Sequence, residues 1–152
     1  SDPKGSKKII KICNEIQSNS NVIFKFYTNI SREQIYFIIQ QSDIIIDQLY
    51  FRRYGAISRE AMSYGKIIMS NLSYDKNEDT NLKKQIDACP VIRISEKNLK
   101  DELLKLINNK NQRKILSAKT KLYWKKYHSI ESSLPKLISE YNQLIPKKFK
   151  YE

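Results

Sequence analysis

Apolar residues first recur at helical spacing from Lys7 to Ser18, where Ile9, Ile10, Ile12, Cys13 and Ile16 can share one face. The polar break Asn19-Ser20-Asn21 leads into Val22-Ile23-Phe24-Lys25-Phe26-Tyr27, whose apolar and aromatic character predicts a strand. Ser31 and Gln34 stand at capping-box spacing, so a helix starts there, buries Ile35, Phe37, Ile38 and Ile39, and ends near Gln41. After Ser42-Asp43, the continuous run Ile44-Ile45-Ile46 reads as a central parallel strand covered on both faces, ending in the polar pair Asp47-Gln48.

Another helix, roughly Ile57 to Tyr64, is closed by Gly65 and followed by the strand-like Lys66-Ile67-Ile68-Met69. Ser70 to Ala88 is a polar stretch. Val91-Ile92-Arg93-Ile94 is a further strand, and Ser95 is placed to cap a helix carrying Leu99, Leu103, Leu104 and Ile107. The remainder is helical, with one long element from Lys110 to Tyr127 and a second from His128 to Leu144, in which Pro135 is tolerable in or near the first turn. Strands alternating with helices predict an α/β fold, a Rossmann-like parallel sheet with flanking helices of the doubly wound type. Such sheets bind ligands at the carboxyl ends of their strands.

The chain has 152 residues, 40% of them hydrophobic, enough for a single domain spanning 1–152 with one core region. There is no internal repeat, and 3 Gly and 4 Pro provide no low-complexity linker. Lys and Arg outnumber Asp and Glu by 28 to 16, a formal net charge of +12, so nucleic acid, phosphorylated ligands and an anionic membrane surface are the partner classes to weigh. The basic residues are scattered through every segment, however, alongside abundant Ile, Asn and Tyr. No clustering with interleaved aromatics marks a nucleic-acid face. Cys13 and Cys89 lie far apart and outside metal-ligand spacing, which predicts two buried thiols in a reducing compartment and no metal site. No apolar run is long enough to span a bilayer, and the N-terminus lacks an apolar signal core. The expectation is a soluble cytoplasmic protein, with peripheral contact to an anionic membrane left open by its charge.

The most informative stretch runs from Ser42 to Leu72. A buried strand empties into a loop containing Tyr54-Gly55, a helix opens at once, and Glu60-Ala61-Met62 sits in its first turns. This order sets unpaired backbone N–H groups and a helix dipole at the ligand-binding edge, which suits a diphosphate. Glu60 on the same helix could accept hydrogen bonds from two vicinal hydroxyls of a sugar. These residues, with Gly65-Lys66 and the strand after them, resemble the C-terminal, nucleotide-sugar-binding domain of glycosyltransferase family 4, a GT-B fold.

The resemblance implies that Glu60 holds the ribose hydroxyls of a nucleotide sugar, while the amides of Tyr54, Gly55, Ala56 and Ile57 contact the diphosphate and donor sugar. Pro3-Lys4-Gly5-Ser6-Lys7 is similar to the family segment that leaves the first strand, which gives Lys4 the diphosphate. Asn29-Ile30-Ser31 falls where the family loop packs against the base. Lys126-Tyr127-His128-Ser129 and the helix through Tyr141 resemble its closing helices. Arg52 departs from the pattern, standing where the family usually carries a first glutamate, with seven residues between it and the second. Arg52 and Arg53 could neutralise donor phosphates. The resemblance further implies that the chain starts just after the domain's first strand and lacks the N-terminal acceptor-binding domain. It also implies that the intact enzyme transfers a hexose-like sugar with retention in polysaccharide or glycolipid biosynthesis. The nucleotide-diphosphate sugar is then a substrate, and no cofactor is expected.

Outside that stretch, His128, the lone histidine, is expected to pack or cap the end of a long helix rather than act as a base. Tyr123, Trp124 and Tyr127 are expected to anchor their helix to the core. No carboxylate pair or nucleophile-base couple suggests a self-contained hydrolase. Two other functions remain open: a non-catalytic nucleotide-binding or regulatory module, and a basic nucleic-acid-binding domain.

Overall fold

A computed structural model of the chain describes residues 2–144. In order, its elements are α1 (Ser6–Ser18), α2 (Arg32–Gln41), β1 (Ile44–Ile46), α3 (Ala56–Ser63), β2 (Ile67–Ser70), α4 (Thr80–Asp87), β3 (Ile92–Arg93), α5 (Leu99–Asn108), α6 (Lys110–Tyr127) and α7 (Ile130–Leu144). The three strands form one parallel sheet in the order β1-β2-β3, with Ile44 to Ile46 opposite Ile67 to Met69, and Met69 and Ser70 opposite Ile92 and Arg93. This is an α/β fold with a small parallel sheet and flanking helices, the arrangement expected from the alternation of elements.

The two faces of β2 organise two apolar layers, because successive strand side chains point to opposite sides. Ile67 and Met69 pack with Ile9, Ile12, Cys13 and Ile16 of α1 and Leu99, Leu103 and Leu106 of α5. Ile68 packs on the other side with Ile39 of α2, Ala61 and Met62 of α3, Ile86 of α4 and Tyr123 of α6. Every residue of β2 is buried, whereas β1 is half-buried and paired only with β2. The central strand is therefore β2, and the uninterrupted Ile44–Ile46 run belongs to an edge: an apolar triplet reports burial on two faces, not the number of neighbouring strands.

Val22 to Tyr27 is not a strand. Val22 and Phe24 pack against the α1–α5 layer, but Ile23, Phe26 and Tyr27 are exposed, and among the described residues no neighbouring ladder accepts this backbone. Strand propensity describes a side chain's fit to a sheet surface and cannot supply the partner strand. The polar stretch from Ser70 to Ala88 contains α4, whose N-cap Asp79 accepts from the amides of Asn81 and Leu82 and which turns inward only Leu82 and Ile86. Phe37 of α2 is exposed instead of buried. The helix expected from Ser95 begins at Leu99, because Asn98 turns back on Ser95, its Oδ1 accepting from the Ser95 amide and hydroxyl. Pro135 is the sixth residue of α7, a turn deeper than expected. The carbonyl it leaves unpaired lies on a helix with no buried residue, where water can reach it.

The Ser31–Gln34 capping box forms in full. Gly65 takes φ 69° after α3, and a Cβ there would lie 3.2 Å from Ser117 Oγ of α6, so glycine both ends the helix and admits α6. Cys13 and Cys89 are free and buried, and burial pushes the Cys13 thiol up to about 11 and raises that of Cys89. No helix among the described residues is long and apolar enough to cross a membrane.

Candidate functional site

The carboxyl ends of β1 and β2 open into Asp47–Gly55 and Asn71–Ser73, and the start of α1 joins them. Gly5, with φ 76°, turns the chain into α1 so closely that an added Cβ would lie 3.0 Å from Leu49 Cβ. The Leu49 amide donates to the Lys4 carbonyl at 2.9 Å, fixing the Lys4 backbone beside this loop. Asn71 ties the two strand ends together: its amide donates to the Gln48 carbonyl and its Nδ2 to the Leu49 carbonyl, both at 2.9 Å. The Gln48 side chain donates to the Arg53 carbonyl, so the loop is closed from inside.

Asp47 is the centre of this arrangement. Its side chain is fully buried, and Oδ2 accepts from the Gly55 amide at 2.6 Å and the Ser58 hydroxyl at 2.7 Å. Oδ1 has no hydrogen-bond donor, and the Lys4 ammonium stands 3.7 Å from it. A Cβ on Gly55 would lie 3.3 Å from Oδ2, so the carboxylate's close approach favours glycine here. Asp47 ties the start of α3 to the end of β1 through the amide of the N-cap residue Gly55 and the Ser58 hydroxyl. Asp2 caps α1, its two oxygens accepting from the first-turn amides of Ser6 and Lys7 at 2.7 and 2.8 Å. Those bonds hold its carboxyl below the usual range.

Of the residues singled out in the sequence, Lys4, Tyr54, Gly55, Ala56 and Ile57 converge here. Ala56 and Ile57 lie in the first turn of α3, where amides have no intrahelical acceptor. The Gly55 amide points inward to Asp47. Glu60, one turn further along α3, accepts from Arg32 of α2 at 3.3 Å. That contact brings Glu60 to the start of α2, just after the loop holding Asn29 and Ile30; Asn29 is exposed, with φ 53°. Arg32 also donates to Tyr36 at 2.8 Å. Arg52 turns away to an exposed ion pair with Asp75, and Arg53 donates to the Ser73 carbonyl and pairs with Glu78. Both arginines therefore brace the loop onto the segment after β2.

Tyr54 is held from the other side. Its hydroxyl lies 2.8 Å from His128 Nε2 and 3.3 Å from the Tyr123 hydroxyl, which donates to the Gln85 carbonyl at 3.2 Å. Burial pushes the Tyr54 phenol up to about 12 and that of Tyr123 up as well. It lowers His128, with the charge of Arg59 adding to the effect, so the cluster is uncharged at neutral pH. The His128 amide also donates to the Trp124 carbonyl at 2.8 Å, ending α6. His128 is thus a packing and capping residue, as expected, and Tyr123, Trp124 and Tyr127 anchor α6 to the core. A cavity of about 180 Å³ lies beside this cluster, lined by Arg53, Arg59 and His128 among others. A larger one of about 270 Å³ lies around Ser42, Asp43 and Lys66, at the opposite, amino end of the strands.

The roles of Asp47, Ser58 and Arg32 were not assigned from the sequence. The signal for the first was a lone acid ending an apolar strand. Ser58 sits three residues after Gly55, at the N3 position of a helix whose glycine cap cannot serve itself. Nothing local marks Arg32, which meets Glu60 only through the packing of α2 beside α3. Among the described residues no group of three or more His, Cys, Asp or Glu side chains could hold a metal ion. No protein-family description, curated protein or solved structure matches the chain.

Proposed function

We propose that this domain binds a nucleotide-diphosphate sugar and serves as the donor half of a GT-B glycosyltransferase resembling family 4. The observation that carries the reading is the convergence of Lys4, the Tyr54–Gly55 loop and the start of α3 at the carboxyl edge of a parallel sheet, with Glu60 on that same helix. A diphosphate suits the helix start and the ammonium, and a ribose suits a partly exposed carboxylate one turn away. In this reading Asn29 and Ile30 border the base, near the contact of Arg32 with Glu60. Transfer with retention needs an acceptor held against the anomeric carbon, and such orientation is worth roughly 7–11 kcal/mol in favourable cases. That wall belongs to an acceptor-binding domain, and this chain by itself binds donor without transferring it.

The alternative of a non-catalytic nucleotide-binding module is favoured by Arg52, which occupies the position of the family's first glutamate and pairs with Asp75. The test is thermal and calorimetric. UDP, GDP and ADP are each added to the chain; the matching one raises the melting midpoint by mass action, and single-stranded oligonucleotides do not. Glu60→Ala abolishes that binding and leaves the fold intact. Equal nucleotide binding by wild type and Glu60→Ala refutes the assignment of Glu60, and protection by oligonucleotides alone refutes the whole reading. Transfer by the chain joined to an acceptor domain separates the enzyme from the module.

A further inference from the structure

Two helix starts meet at the carboxyl edge of the sheet, and a carboxylate of the chain stands beside each. At α1 it is Asp2, and at α3 it is Asp47. The Asp47 site shows what such a place accepts. An anion sits there fully buried, taking the Gly55 amide and the Ser58 hydroxyl on one oxygen and facing the Lys4 ammonium with the other. That second oxygen has no hydrogen-bond donor, which is uncommon for a buried carboxylate. Lys4 is half exposed and 3.7 Å away, close enough to be attracted and too far to be held by a hydrogen bond. The ammonium and the helix start are thus available to an external anion, but only in the field of a fixed internal negative charge.

Resting on the nucleotide-sugar reading, we propose that Asp47 is a specificity-determining residue, which selects the sugar diphosphate diester over the free nucleoside diphosphate. Coulomb repulsion scales with ligand charge, and the free diphosphate carries an additional negative charge on its terminal phosphate. A carboxylate that cannot leave therefore weakens the product more than the donor. Its own charge is kept tolerable by Gly55, Ser58 and the α3 dipole, so it persists when a ligand arrives. The consequence is a site that releases spent nucleoside diphosphate and refills with nucleotide sugar.

The experiment compares wild type with Asp47→Asn, which keeps the shape and an oxygen for Gly55 and Ser58 while removing the charge. Titration calorimetry with UDP and UDP-glucose, and with GDP and GDP-mannose, reads the ratio of product to donor affinity. In Asp47→Asn the product strengthens relative to the donor by about fivefold, the size of one unit-charge interaction over several ångströms in partly solvated surroundings. Lys4→Ala in the Asp47→Asn background removes most of the gain. A purely structural role weakens both ligands alike and leaves the ratio unmoved, which overturns the inference even if Glu60-dependent binding survives. Absence of all nucleotide binding in both proteins overturns the nucleotide-sugar reading instead. Inorganic pyrophosphate then judges Asp47: tighter binding by Asp47→Asn supports its role against anionic charge, and no gain overturns that too. Asp47→Ser, neutral and smaller, takes the place of Asp47→Asn if that variant fails to fold.

Discussion

Ser58→Ala tests whether the bond between β1 and α3 holds the candidate site in place. Ser58 is completely buried, and its hydroxyl donates to Asp47 Oδ2 at 2.7 Å. Alanine keeps the Cβ and removes only the hydroxyl, so the void is small and the lost bond dominates. A hydrogen bond to a charged group contributes about 1.5–3 kcal/mol, and Asp47 is left with the Gly55 amide as its one donor and an oxygen already without any. For a chain of this length each kcal/mol lowers the melting midpoint by about 2–4 °C, so the expected fall is about 3–12 °C. Urea unfolding followed by circular dichroism measures the same loss as a lower midpoint with an unchanged slope. Glu60→Ala is the control. Its carboxylate pairs with Arg32, whose side chain is 71% exposed, so the change is expected within about 0.5 kcal/mol. If Ser58→Ala also loses no more than about 0.5 kcal/mol, the Asp47–Ser58 bond is not what holds α3 to the end of β1, and that part of the site's architecture is refuted.

Two further expectations concern titration. Burial holds His128 below its ordinary value of 6.5, so the unfolded chain takes up the proton before the folded one. The stability from keeping His128 neutral is present above pH 6.5 and is lost as pH falls through the folded value. Urea midpoints at pH 7.5, 6 and 5 should therefore decline less in His128→Gln than in wild type, and parallel declines refute this assignment. Cys13, with its thiol pushed up to about 11, and the buried Cys89 should resist a disulfide reagent at pH 8 until urea exposes them; prompt labelling of the native protein contradicts their burial.

Much of the architecture was legible locally. The apolar spacing of Ile9, Ile12, Cys13 and Ile16, the Ser31–Gln34 capping box and the Gly65 stop each depend on residues within a few turns of one another, and each formed where the pattern placed it. The sequence also brought Tyr54-Gly55 and Glu60 onto one loop and helix beyond an apolar strand, because that order is covalent. It could not decide which strand is central. Ile44–Ile46 and Ile67–Met69 look alike along the chain, and only packing sets one at the edge. Nor could propensity give Val22 to Tyr27 a partner. The contacts that shape the candidate site join distant positions: Lys4 to Asp47, Arg32 to Glu60, Tyr54 to His128. A helix start beside a strand end predicts an anion site, but that a buried carboxylate of the chain stands beside it depends on how β1 meets α3. Tertiary structure decided that, because a buried charge is set by every neighbour that solvates it.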